Sequence, residues 1–118
     1  MDYNYTPPED LLPAPIIMPS EAGAVRLKDL VEGKGFMVVE PYPGIDVGQY
    51  VRMHITGSGM MANGAYVKDA NEQIKGVIHP AVANADKIYV YYVVQTAQSG
   101  GVVLFSSKTN EYTVDRFN

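Results

Sequence analysis

Few side chains in this 118-residue chain could carry chemistry, and their spacing decides what they can do. There are two histidines, His54 and His79, and no cysteine. A metal centre would need both imidazoles plus carboxylates, and no His-x-Glu, His-x-x-x-His or clustered Asp spacing supplies such a set. His54 alternates with apolar residues and is expected to face outward, while His79 precedes Pro80 at a strand end. Gly57-Ser58-Gly59 is not a nucleophile elbow, which needs a Gly-x-Ser-x-Gly turn leading into a helix. Gly57 to Ala62 also lacks the later glycine and the Lys-Ser/Thr pair of a phosphate loop. This stretch is expected to be a flexible loop, with Met60 and Met61 tucked under the domain rather than forming an exposed tip. Asp69, Asn71 and Glu72 offer oxygen ligands without the twelve-residue frame of a calcium loop, and they read as a polar turn. Tyr66, Lys68 and Asp69 are what a small enzyme or toxin would have to use, and nothing in their spacing favours catalysis over a turn. The residues therefore point to a protein that is not an enzyme and has no metal or cofactor.

Tyrosine is the one compositional excess, with nine residues at positions 3, 5, 42, 50, 66, 89, 91, 92 and 112. Tyr92 falls on an inward face, where its hydroxyl needs a partner. Tyr89 and Tyr91 fall on the opposite face and, with Tyr50 on a neighbouring strand, would form an outward stripe. Cross-strand aromatic pairs stabilise a sheet by themselves, at about 0.2–1 kcal/mol each. Tyrosine also offers a large contact area at low entropic cost in protein and glycan interfaces. Tyr50, Tyr89 and Tyr91, with Tyr3 and Tyr5 near the amino terminus, are the candidate contact residues. The function expected is a non-enzymatic binding or assembly module whose partner is another protein or a second copy of the chain. A glycan-binding, lectin-like domain is the alternative, weakened by the absence of tryptophan.

The elements that must position these residues are β-strands. From Tyr50 to Thr56, Val51, Met53 and Ile55 point one way, and Tyr50, Arg52, His54 and Thr56 the other. From Lys87 to Gln95, Ile88, Val90, Tyr92 and Val94 alternate with Tyr89, Tyr91 and Val93, so both faces are partly apolar, as in a central strand. Ser99-Gly100-Gly101 supplies a turn that joins this run to Val102–Phe105 as a hairpin, and Glu111–Asp115 follows as the last strand. Weaker strands are expected at Ile16–Met18, Ala24–Leu27, Phe36–Glu40, Tyr66–Lys68 and Gln73–His79. Single helical turns are expected within Val25–Val31 and Pro80–Ala85. The pattern is that of an all-β, immunoglobulin-like antiparallel β-sandwich of about seven to nine strands. Its expected core contains Phe36, Val38, Val51, Met53, Ile55, Ile88, Val90, Tyr92 and Val94.

Residues 1–15 form a proline-rich, extended N-terminal arm and residues 16–118 the sandwich domain. The arm has neither the basic segment nor the unbroken apolar segment of a Sec-type signal, so a cytoplasmic location or an unconventional export route is expected. No apolar run approaches the roughly 20 residues of a membrane-spanning helix, so no membrane insertion is expected. Nine basic against thirteen acidic residues give a net charge of −4, with no basic patch to meet a phosphate backbone. Nucleic acid is not an expected partner.

The segment Val38-Val39-Glu40-Pro41-Tyr42-Pro43-Gly44, followed by Gly48-Gln49 and the alternating run Tyr50 to Gly57, resembles the first half of an immunoglobulin-like module. That module is repeated in large bacterial surface proteins of the intimin and invasin type. The second half of the chain is similar to it in order, through Ile88 to Val94, Gly100-Gly101, Ser106 and Tyr112-Thr113-Val114. Gln49 stands where the module carries Asp, and Ile55 where it carries Trp. The resemblance spans about residues 14 to 115. It implies a sandwich fold, a bacterial source and a role in cell adhesion.

With two histidines and no thiol, folding should not depend on a divalent metal. Treatment with a chelator is expected to leave the melting temperature unchanged, and a drop of many degrees would refute that.

Overall fold

The two period-2 runs become the two central strands of the larger of two sheets, in the computed structural model that describes residues 11 to 116. Nine strands lie among the described residues: β1 (Ile16–Met18), β2 (Ala24–Arg26), β3 (Phe36–Val39), β4 (Tyr50–Thr56), β5 (Met60–Tyr66), β6 (Ile74–Val77), β7 (Lys87–Gln95), β8 (Val103–Ser106) and β9 (Asn110–Asp115). A helical turn, α1 (Leu27–Val31), follows β2, and a 3-10 helix at Pro80–Asn84 precedes β7. One sheet has the order β1-β3-β6. The other has the order β2-β9-β7-β4-β5, with β8 also paired to β7. The fold is an all-β sandwich, and its strand order is that of an immunoglobulin-like domain. One pairing departs from the antiparallel expectation. β2 runs parallel to β9, because the chain leaves the small sheet after β1 and joins the edge of the large one.

β4 and β7 have the bounds their alternation implies, and the register Val51↔Val94, Met53↔Tyr92, Ile55↔Val90 puts both inward sets side by side. These six residues and Ile88 are almost fully buried and belong to one core cluster with Ile17, Val25, Leu30, Met37, Val39 and Ile78. The expected core residues of β3 are corrected in part. Val38 is buried as expected, at 1% accessibility, but Phe36 is only half-buried, and it is Met37 and Val39 that join the central cluster. The run Phe-Met-Val-Val is apolar throughout, so alternation cannot choose a face, and pairing with β1 (Ile17↔Met37) decides it.

β5 is the element the sequence hid. Its residues, Met-Met-Ala-Asn-Gly-Ala-Tyr, have little β propensity, yet all seven pair with β4 from Tyr50↔Tyr66 to Thr56↔Met60. The expected loop shrinks to Gly57-Ser58-Gly59. It is fixed on the 3-10 helix by Ser58 N–H to Val82 O at 3.0 Å, and a Cβ on Gly57 would strike that same carbonyl. Met61 packs against the core and Met60 stands exposed, so only one of the two methionines tucks in. The expected strand at Tyr66–Lys68 is the end of β5 and the connection after it.

Side chains close the remaining gaps. Tyr112, buried in the core, accepts from Ile17 N–H at 3.0 Å and so ties β9 to the opposite sheet. Between β8 and β9, Ser107 replaces a ladder step: its Oγ accepts from Tyr92 N–H at 2.8 Å and its own N–H donates to Tyr92 O at 2.9 Å. Leu12 docks beside this break, donating to Ser106 O and accepting from Lys108 N–H, and its side chain enters the core.

The corrected register of β3 is testable by urea unfolding. Met37→Ala should cost about 2–5 kcal/mol as a buried large-to-small change, and Phe36→Ala clearly less. The reverse ranking would return Phe36 to the core.

Candidate functional site

Because the side-chain period of a strand is two, burying Val51, Met53, Ile55, Val90, Tyr92 and Val94 forces their neighbours onto the outer face of the large sheet. There the ladder aligns Thr56 with Tyr89, His54 with Tyr91, Arg52 with Val93 and Tyr50 with Gln95. Tyr91 and His54 stack, with ring centroids 4.6 Å apart and planes within 4°. Tyr89 is 40% exposed, and Glu111, opposite it on β9, is held by Lys87 at 2.8 Å. Tyr89 and Tyr91 are therefore brought together on one face as a stripe.

Tyr50 shares that face by register but not its exposure, since it is only 7% accessible. Its ring packs edge-on against Tyr66 at 5.0 Å, and its hydroxyl fills the space that a Cβ on Gly64 would occupy. That glycine, diagonal to Tyr50 and paired with Arg52, is revealed by no pattern within β4; it lets this tyrosine lie across the neighbouring strand and makes it structural. Tyr3 and Tyr5 lie outside the described residues.

Beside the stripe, an open groove of about 650 Å³ is lined by Arg52, His54, Val93, Gln95, Val103 and Ser106 among others. Two of its acceptors, His54 Nδ1 and Gln95 Oε1, are buried without a hydrogen-bond donor. Leaving such an atom unpaired costs about 1–3 kcal/mol each. Burial, and then the nearby Arg52 charge, lower the pKa of His54 from its ordinary value, so the imidazole favours its neutral form. A groove of similar size, about 680 Å³, lies at the other end of the molecule against Glu21, Arg26, Asp29 and Asp115. It has less to offer, because Arg26 already grips Asp29 through two bonds of 3.0 Å and Asp115 is itself engaged.

The other sequence candidates fall into structural roles. His79 caps the 3-10 helix, its Nδ1 accepting from Ala81 N–H at 3.1 Å. Asp69 closes the polar turn, its Oδ1 accepting from Asn71 N–H at 2.8 Å. Among the described residues no three His, Asp or Glu side chains converge as metal ligands, and no helix is long and apolar enough to cross a membrane. Gln49 is a residue whose role the sequence did not show. It accepts from the Tyr42 hydroxyl at 2.6 Å and from Asp46 N–H at 3.1 Å and donates to Gly44 O at 3.0 Å, knitting together the loop before β4.

Compared with protein-family models, curated proteins and solved structures, the chain matches none.

The His54 environment has a pH consequence. Its folded pKa lies below the unfolded one, so on acidification through the ordinary value of 6.5 the unfolded chain takes up the proton first and stability falls. Unfolding free energy should begin to drop as the pH falls through the ordinary histidine value of about 6.5 and go on dropping until the lowered folded value is passed. His54→Phe keeps a ring against Tyr91, removes the unpaired nitrogen and should flatten this slope. Equal slopes in the two proteins would refute the assignment.

Proposed function

We propose that the chain is a non-enzymatic binding or assembly module that makes protein–protein contacts through the outer face of its large sheet. The observation that carries this reading is the make-up of that face. Exposed Tyr89, the Tyr91–His54 stack, Val93, Arg52 and the protruding Met60 and Val102 form one surface, and its flanking carboxylate, Glu111, is already paired. Tyr, Met and Arg are the residue types enriched where proteins meet, and acidic residues are depleted there. The groove adds the Arg52 guanidinium, which shows no ion pair among the described residues and is complementary to a partner presenting a carboxylate. The cell-adhesion role implied by the family resemblance is one form such a module could take.

A glycan ligand is the weaker reading. Stacking on sugars needs a free aromatic face, and Tyr91 gives one of its faces to His54. Catalysis has less support still, since of its candidate residues Asp69 is engaged in a turn and the Tyr66 ring packs against Tyr50.

The test is a photo-reactive residue, p-benzoylphenylalanine, in place of Tyr89 in the full chain, irradiated in cells that produce it. The expected result is a discrete adduct with a polypeptide, either another protein or a second copy, that is lost when Arg52→Glu is added. Absence of any protein adduct, or adducts with carbohydrate alone, would overturn the reading.

A further inference from the structure

The edges of the two sheets are not equally protected. β1 and β2 have three residues each; β1 lies between Pro15 and Pro19, and β2 runs straight into α1. β6 carries Lys75, and the Asn63 side chain donates to its Val77 carbonyl at 2.7 Å. The flank of β8 and β9 is closed in part by Leu12 and in part by β2. β5 differs from all of these: it has seven residues, no charge and no proline, and is paired on one side only.

The direction of its backbone groups can be fixed. Val67 N–H donates to Gln49 O at 2.8 Å, one step beyond the Tyr50↔Tyr66 pair. In an antiparallel ladder, bonded and non-bonded pairs alternate, so 61, 63 and 65 bond to β4 while Met60, Ala62, Gly64 and Tyr66 turn N–H and C=O outward. The same alternation continues across β4 to β7 and agrees with Ser107 N–H reaching Tyr92 O on the far side. None of these four outward residues has another backbone partner among the described residues.

We propose that β5 is a self-association edge, at which a second copy of this chain adds its own β5 antiparallel about a two-fold axis at Asn63. This deepens the reading of the domain as a contact module and rests on it. The second copy is the occupant because the strand is its own complement. With the axis at Asn63, Met60 faces Tyr66 of the second copy and Ala62 faces its Gly64, so every outward N–H and C=O is used. Exposed Met60 and Tyr66 meet on the outer face, at 70% and 45% accessibility, and the small pair between them lets the backbones close. The charge pattern agrees. Each copy carries a net charge of −4, and this edge brings no carboxylate of the strand against another. A single strand pair buries less than the roughly 1,200–2,000 Å² of a stable interface, so the dimer is weak and reversible, with dissociation in the micromolar-to-millimolar range.

Sedimentation velocity of the full chain from about 10 μM to about 1 mM, the range set by so small an interface, should show mass rising from monomer toward dimer. Ala62→Lys sets two like charges near the axis and should raise the dissociation constant at least about tenfold. Ala62→Pro removes an outward N–H that bonds to nothing within the chain and should have the same effect, because an edge tolerates proline there. Register is read separately in a chain without native cysteine: mixing Met60→Cys with Tyr66→Cys should give the mixed disulfide in preference to either homodimer. A wild-type chain that stays monomeric throughout, a dimer indifferent to both Ala62 substitutions, or random disulfide pairing would overturn the edge. If the photo-reactive residue at position 89 still finds a protein partner in any of those cases, the contact-module reading survives and only the edge falls. If the edge dimer forms and position 89 finds nothing, the face fails and the edge stands.

Discussion

The ladder between β4 and β7 is the constraint from which the rest of the molecule is built. All seven residues of β4 are paired, Tyr50 with Gln95 through Thr56 with Tyr89, and each strand has neighbours on both sides. On the inner face the ladder sets Val51, Met53 and Ile55 against Val94, Tyr92 and Val90, the middle of the core. On the outer face the same steps set Arg52 beside Val93 and His54 beside Tyr91. Core and contact face are therefore two sides of one register, and a slip of one residue would exchange them. This strong inward demand is what tolerates the unpaired His54 Nδ1 and Gln95 Oε1. Their cost is small beside that of exposing six large apolar side chains.

How much of this was legible in the sequence depended on whether a strand's own residues chose its face. β4 and β7 alternate clearly, so their limits, their inward sets and the stripe of Tyr89 and Tyr91 could be read directly. β3 is apolar on both faces, and its partner Ile17 on β1 decided what composition could not. β5 reads as a loop because its stability comes from the full-length partner β4 and from Tyr50 lying over Gly64, neither of which is local. The burial of Tyr50 was invisible for the same reason. The groove could not be read either, since it assembles Arg52 and His54 from one strand, Gln95 from a second and Ser106 from a third, and only register joins them.

The tyrosine excess separates into two uses once the partners are known. Tyr42, Tyr50, Tyr92 and Tyr112 are buried, and burial pushes the hydroxyls of Tyr42 and Tyr92 up to about 12. Tyr42 packs 5.9 Å from Tyr92 and 6.3 Å from Phe105 and donates to Gln49, so it joins the loop before β4 to the core. Tyr112 does the same between the sheets. A small sandwich without disulfides must fasten its loops and layers by other means, and a ring with a hydroxyl at its tip fills the core while bonding to backbone at the rim. Of the other described tyrosines, Tyr66 and Tyr89 are exposed and Tyr91 is half-buried, and all three lie on the outer face of the large sheet.

An open edge is ordinarily a hazard, because its free N–H and C=O groups can template aggregation. Other edges of this sandwich are guarded by shortness, proline, lysine or a covering segment, and β5 by none of these. Its composition does part of that work. Asn, Gly and Ala fill the middle, and no β-branched residue is present, so the strand lacks the interdigitating apolar side chains that lock stacked copies into a fibre. Backbone pairing alone, with one large side chain at each end, gives an association that is specific in register but cheap to reverse. Because β5 continues the same sheet, an added strand there would also extend the surface bearing Tyr89, Tyr91 and Arg52, and two copies would present that face side by side. Edge and face are thus consequences of a single sheet whose inner side is given to the core and whose outer side is left free.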